Sequence, residues 1–239
     1  MLTAVFELLI LASTAACPVP MPRCEDPRPV GSRDPQMLYP CLVDGTVRRQ
    51  YEEKARAGVG QHDVRLWKYY LEDQKNEGEA MQWLNMAATR DHPDSQYTFG
   101  AILFRRAGDS GSCDEALAWM TRAAEASGEF AGFLGNFYRD TLKNRTDALR
   151  WFQRGAQLGS EAALEHAIAL MVKMDDMQQA CAWYRAARQA NLMEEEDKRL
   201  EGHCSVKSAI DATLLKSLEK GAHLRDEARD LVASCFPSG

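Results

Sequence analysis

The chain has 239 residues, of which 45% are apolar and 27% charged, enough for one extended domain with a substantial core. Its 29 Lys and Arg stand against 35 Asp and Glu, giving a formal net charge of −6. The basic excess of a nucleic-acid-binding surface is therefore missing, and no nucleic-acid partner is expected.

The elements begin with an apolar run, Leu8 to Ala16, that ends in small residues just before Cys17. It is too short to span a bilayer and has the shape of a signal-peptide core, so residues 1–16 are predicted to be a signal peptide. The residues before it contain no Lys or Arg and include Glu7, an atypical start for such a signal. Thr14-Ala15-Ala16-Cys17 is similar to a bacterial lipoprotein processing site with Thr14 where Leu is usual. Cys17 is the candidate for lipidation, and the alternatives are ordinary cleavage near Ala15 or Ala16 or an uncleaved apolar tail. Residues 17–45 hold seven of the nine prolines, all within 18–40, and no helix can run through them. This stretch reads as an extended tether or as an arm packed along the first helices.

From residue 46 a repeat sets in. Trp83, Trp119, Trp151 and Trp183 are separated by 36, 32 and 32 residues, a period that marks an array. Ala80, Ala116, Ala148 and Ala180 stand three places before each Trp, and Ala87, Ala123, Gly155 and Ala187 four places after. Those offsets put an aromatic ring between two small residues on one helical face. A stop follows each Trp, at Asp91-His92-Pro93, Gly128, Gly159 and Asn191, and a second apolar-periodic stretch comes after it. In the first three units this stretch carries Ser95, Phe99, Gly100 and Leu103; Phe130, Leu134, Gly135 and Tyr138; and Ala162, His166, Ala167 and Leu170. Each unit is predicted to be helix, turn, helix. Upstream, Gln50 takes the Trp slot of a degenerate unit whose second helix carries His62, Leu66, Trp67 and Tyr70, so about five units span 46–204. Beyond them, 205–239 reads as two capping helices, Val206 to Lys220 and Ala222 to Ala233, separated by Gly221.

These residues resemble the Sel-like repeat family, relatives of the tetratricopeptide repeats. Trp119-Met120, Arg122, Ala123-Ala124, Gly128, Leu134-Gly135 and Tyr138 follow its pattern closely, and Trp151-Phe152, Arg154, Gly155-Ala156 and Gly159 follow it through the first helix. The unit at Trp183 departs after Ala187, with Arg188 in place of the second Ala and Glu194 to Asp197 where its second helix should begin. The resemblance implies an all-α fold, a right-handed α-solenoid of helix-turn-helix repeats with a C-terminal helical cap.

The seven cysteines become six if Cys17 carries a lipid, an even set that suits disulfides in an oxidising compartment. Fifteen pairings are formally open. Cys181 and Cys204 lie symmetrically about the Asn191-Leu192-Met193 turn, so an antiparallel hairpin predicts that bridge. Cys24 and Cys41 flank the Pro-rich segment and can close a short loop; Cys113 and Cys235 are left for each other. No C-x-x-C occurs and the histidines have no ligand spacing, so no metal is expected.

Neither a phosphate loop, G-x-S-x-G nor H-E-x-x-H is present, and no catalytic residue or cofactor is expected. Asp91-His92 before Pro93 reads as a turn, His166 as a half-buried core position, and Asn144 as a helix boundary. Stacked repeats align equivalent side chains into a ladder, and Arg122, Arg154 and Arg185 are positioned to receive acidic side chains of a partner. Gln82, Asn85 and Met120, at exposed ends of the first helices, are expected to line the same concave groove. The expected function is a non-catalytic scaffold of the bacterial envelope, periplasmic or membrane-anchored through Cys17 alone, that binds another protein. The resemblance admits an immunity protein against a secreted toxic effector, and an adaptor for envelope secretion or polysaccharide machinery. It also admits a cysteine-rich β-lactam-binding hydrolase, whose cysteines recur at a short fixed spacing not seen here.

Overall fold

A computed structural model of the chain describes residues 40–58, 62–107, 113–193, 200, 204 and 211–235. Among them are ten α-helices and no strand: α1 (Gly45–Arg56), α2 (His62–Lys68), α3 (Glu77–Thr89), α4 (Pro93–Ala107), α5 (Cys113–Ala126), α6 (Gly128–Asp140), α7 (Arg145–Gln157), α8 (Glu161–Lys173), α9 (Met177–Gln189) and α10 (Ala212–Cys235). The expected signal peptide, lipidation site and Cys24–Cys41 bridge lie outside the described residues, as do the Glu194–Asp197 stretch and the side chain of Cys235.

Local chemistry explains the boundaries. Asp44, Asn76, Asn144, Ser160 and Asp176 each accept a hydrogen bond from a backbone N–H in the first turn of the following helix. Each such cap contributes about 1 kcal/mol. Between the two helices of a unit the chain turns through a left-handed residue, Gly58 (φ 72°), Asp91 (62°) or Gly159 (90°), and Asn191 (55°) takes the same conformation after α9. The unit three turn differs. Gly128 is not a stop but the first residue of α6, after the single residue Ser127. A methyl group there would come within 2.8 Å of the Gly155 carbonyl oxygen, so close packing against α7, not turn geometry, requires the glycine.

Helices pair within units α1–α2, α3–α4, α5–α6 and α7–α8, and the second helix of one unit packs on the first helix of the next: α4 on α5, α6 on α7, α8 on α9. This is the all-α solenoid expected. Each indole bears on the preceding unit. Trp119 meets Phe99 edge-on at 5.5 Å, and Trp151 packs against the cluster of Met120, Ala124, Ala131 and Leu134. Trp83 and Trp183 are buried, whereas Trp119 and Trp151 are half-buried. The deeper slot is the next residue along: Leu84, Met120, Phe152 and Tyr184 are all buried. Opposite Phe152 stands Gly135, where a methyl group would lie 2.6 Å from the ring, so the aromatic edge occupies the space that a side chain would fill.

The first unit's second helix continues into a π-helical turn, Tyr69–Asp73, in which the Gln74 N–H donates to the Tyr69 carbonyl at 3.1 Å. One expectation at the chain's other end is corrected: among the described residues of the cap, Ala212–Cys235 form one continuous helix through Gly221, not two helices split there. A methyl group at Gly221 would fall 2.8 Å from the Ala156 carbonyl oxygen, so the glycine permits contact with α7 and does not break the helix. Through that contact, and with Leu218 and Ala222 joining the core of Trp183, Leu192 and Cys204, α10 packs on the first helices α7 and α9.

The Cys181–Cys204 bridge is formed, with Cα atoms 5.1 Å apart, as hairpin symmetry predicts. Closing a loop of this length stabilises the fold by about 3 kcal/mol in the chain-entropy account.

Candidate functional site

The proposed contact residues fall into three groups. Gln82, Asn85 and Arg154 are exposed on α3 and α7, as a partner surface requires. Arg122 is exposed on α5 but engaged: its guanidinium is 2.8 Å from the Asp91 carboxylate and lies over the Trp119 ring at 5.9 Å. With both partners in solvent, that ion pair contributes about 0–1 kcal/mol, so a competing carboxylate displaces it at small cost. Arg185 is half-buried and donates to the Cys181 carbonyl one turn back, at 3.2 Å. Met120 is a correction. It is completely enclosed, beside Gly100, where a methyl group would sit 2.7 Å from its side chain; it serves the α4–α5 contact and is closed to a partner. An unbranched side chain fills such a tight gap well, and its amphipathic position on α5 does not distinguish that role from surface.

The cap narrows the available surface. Among the described residues α10 packs on α7 and α9, and Gln82, Asn85 and Arg122 are exposed on α3 and α5.

Another set of arginines, unnoticed in the sequence, ties the turns of neighbouring units. Arg90, at the end of α3, donates to the Ala55 and Arg56 carbonyls that end α1 and to Asp63 at the start of α2. Asp63 is completely buried and its carboxylate lies 2.9 Å from that guanidinium. Arg225 of α10 makes the corresponding tie at the other end, to Glu161 and to the Asn191 carbonyl. Arg122 with Asp91 fits the same series, so this residue of the expected ladder stands on the turn edge linking units two and three. The signal in the sequence was faint: an Asp one residue inside α2 is also an ordinary first-turn acid.

Titratable groups in this region have structural environments. Burial lowers the pKa of His166 below its usual 6.5, with the Arg139 charge adding to it, and the imidazole sits 5.2 Å from the Phe152 ring. Burial pushes the Tyr97 hydroxyl up to about 12, among the rings of Phe130 and Phe133. Among the described residues no group of three or more His, Cys, Asp or Glu is placed to hold a metal ion, and no helix is long and apolar enough to cross a membrane.

A scan against protein-family models found no match, and a search of the curated proteins found none either. Among solved structures, the chain is similar to one described as the crystal structure of a Sel1 repeat protein from Oxalobacter formigenes. The two are 23% identical, with 77% of this chain and 78% of that one covered and a TM-score of 0.45. The fold of the present chain rests on its own packing, in which paired helices stack unit on unit through Leu84, Met120, Phe152 and Tyr184.

Proposed function

We propose that the chain is a non-catalytic scaffold that binds another protein along its first-helix face, and that it works as an immunity protein neutralising a secreted toxic effector in the bacterial envelope. The observation that supports this reading is that, among the described residues, Gln82 and Asn85 on α3 and Arg122 on α5 are exposed, the Arg122 guanidinium being engaged by an exposed ion pair with Asp91 and by the Trp119 ring. Arg154 extends the same row on α7. Arginine forks on a rigid helical frame suit carboxylates of a partner, because the frame fixes their spacing before binding. The Cys181–Cys204 bridge supports an oxidising, exported location, periplasmic or tethered through Cys17.

The test is affinity capture from the native envelope, with the wild-type chain and an Arg122→Glu/Arg154→Glu/Arg185→Glu variant as baits. The reading expects one dominant secreted polypeptide on the wild type, lost on the variant, with thermal unfolding nearly unchanged. Equal capture by both baits removes the arginine row; capture of secretion or polysaccharide-assembly components in place of an effector turns the reading toward an adaptor.

A further inference from the structure

Between the first two units α2, α3 and α4 line a partly open cavity of about 310 Å³ that the protein-binding reading does not use. Its walls are apolar: Trp67 and Leu71 from α2 and its π-helical extension, Met81 and Leu84 from α3, Ile102 from α4. Ala80, the small residue one turn before Trp83, leaves the space open. The π-helical turn bears on it directly, because Leu71 sits within Tyr69–Asp73, and an extra residue in one turn is a rare feature that recurs at functional sites.

The mouth is polar and its charges do not cancel. Arg106 pairs with Glu77 at 3.4 Å, and Arg105, which also lines the cavity, has no ion pair or hydrogen bond among the described residues. One net positive charge therefore stands over an apolar chamber. That combination selects a ligand with an aliphatic body and a single anionic end; a dianion would leave one charge unmatched, and a cation would meet repulsion. The volume falls at the small end of ligand pockets. At roughly 30 Å³ per heavy atom it holds about ten.

We propose that this cavity binds a small amphipathic monocarboxylate of the medium-chain fatty acid class, with its chain against Leu71, Met81 and Ile102 and its carboxylate on Arg105. The site is independent of the first-helix face and stands or falls separately from it.

The test is calorimetric titration of the full chain with decanoate, decanol and decyltrimethylammonium, each below its micellar concentration. Decanoate binds one to one and saturably, more tightly than decanol, and the ammonium compound does not bind. Arg105→Gln weakens decanoate by about tenfold, the loss of one charge-assisted hydrogen bond, and leaves decanol within about twofold. Ile102→Trp fills the chamber and removes binding of both; Met81→Trp gives the same readout should that variant not fold, with circular dichroism reporting the fold of each. No saturable binding of decanoate up to about 1 mM, a free energy weaker than about 4 kcal/mol, overturns the proposal. So does equal affinity for the carboxylate and the ammonium, or an Arg105→Gln variant that binds decanoate as the wild type does.

Discussion

Gly135 and Gly132 lie on the same helix, three residues apart, and alanine at each is predicted to change stability in opposite directions. An alanine in a helix interior is favoured over glycine by about 0.8–1.0 kcal/mol. At Gly132 the added methyl group meets the Ala163 Cβ at 3.5 Å, an ordinary contact, so the substitution should stabilise by nearly that amount. At Gly135 it would lie 2.6 Å from two ring carbons of Phe152, which is completely buried and has nowhere to retreat. Overpacking of this kind costs about 1–3 kcal/mol, so after the helical gain the net effect is a loss of about 1 kcal/mol. Urea unfolding of the purified chain, followed by circular dichroism, gives both values. The coupling is tested by a cycle: in a Phe152→Leu background the Gly135→Ala penalty should shrink by at least about 1 kcal/mol, the interaction energy of two residues in contact. If Gly135→Ala stabilises as Gly132→Ala does, Phe152 is not wedged against α6 and the account of how units stack is wrong.

Arg90→Met should destabilise the chain by about 3 kcal/mol, because it strands the buried Asp63 carboxylate, and adding Asp63→Asn should restore part of the loss in the same urea assay. Cys181→Ser with Cys204→Ser should lower stability by about 3 kcal/mol, and reductant should then shift the wild-type curve but not the variant's. The pKa values of His62 and His166 are lowered in the fold, chiefly by burial, so the unfolded chain binds more protons as pH falls below 6.5. Their contribution is present above pH 6.5 and is lost as pH drops toward the lowered folded values; His166→Leu should flatten the stability profile below pH 6.5.

The repeat was legible because its signal is geometric. A Trp flanked by small residues at minus three and plus four can only be one face of a helix, and α3, α5, α7 and α9 all carry that face. The depth of each position was less legible. Trp119 and Met120 are adjacent and both apolar, and a hundred-degree step around a helix decides which is fully enclosed; the indole stays half-buried, edge-on to Phe99, while the flexible methionine fills the gap beside Gly100. Glycines misled for a related reason. Gly128 and Gly221 look like breaks when only the local chain is considered, yet each is needed by a carbonyl approaching from another helix, which no single-chain pattern reveals. The Cys181–Cys204 pairing was readable since hairpin symmetry is a local constraint, whereas the arginine ties from Arg90 and Arg225 join residues of different units and left no periodic trace; Arg122 stands at a repeated position, but its tie to Asp91 does not recur at Arg154 among the described contacts.

Hydrogen exchange of the chain with its captured partner bears most directly on the idea that stacked helix pairs present their first helices to another protein. Peptides from α3 and α5 carrying Gln82, Asn85 and Arg122, with the Arg154 region of α7, should slow on binding, while α4, α6 and α8 exchange as before. Protection confined to the second helices, around Phe133 and Val172, would contradict it.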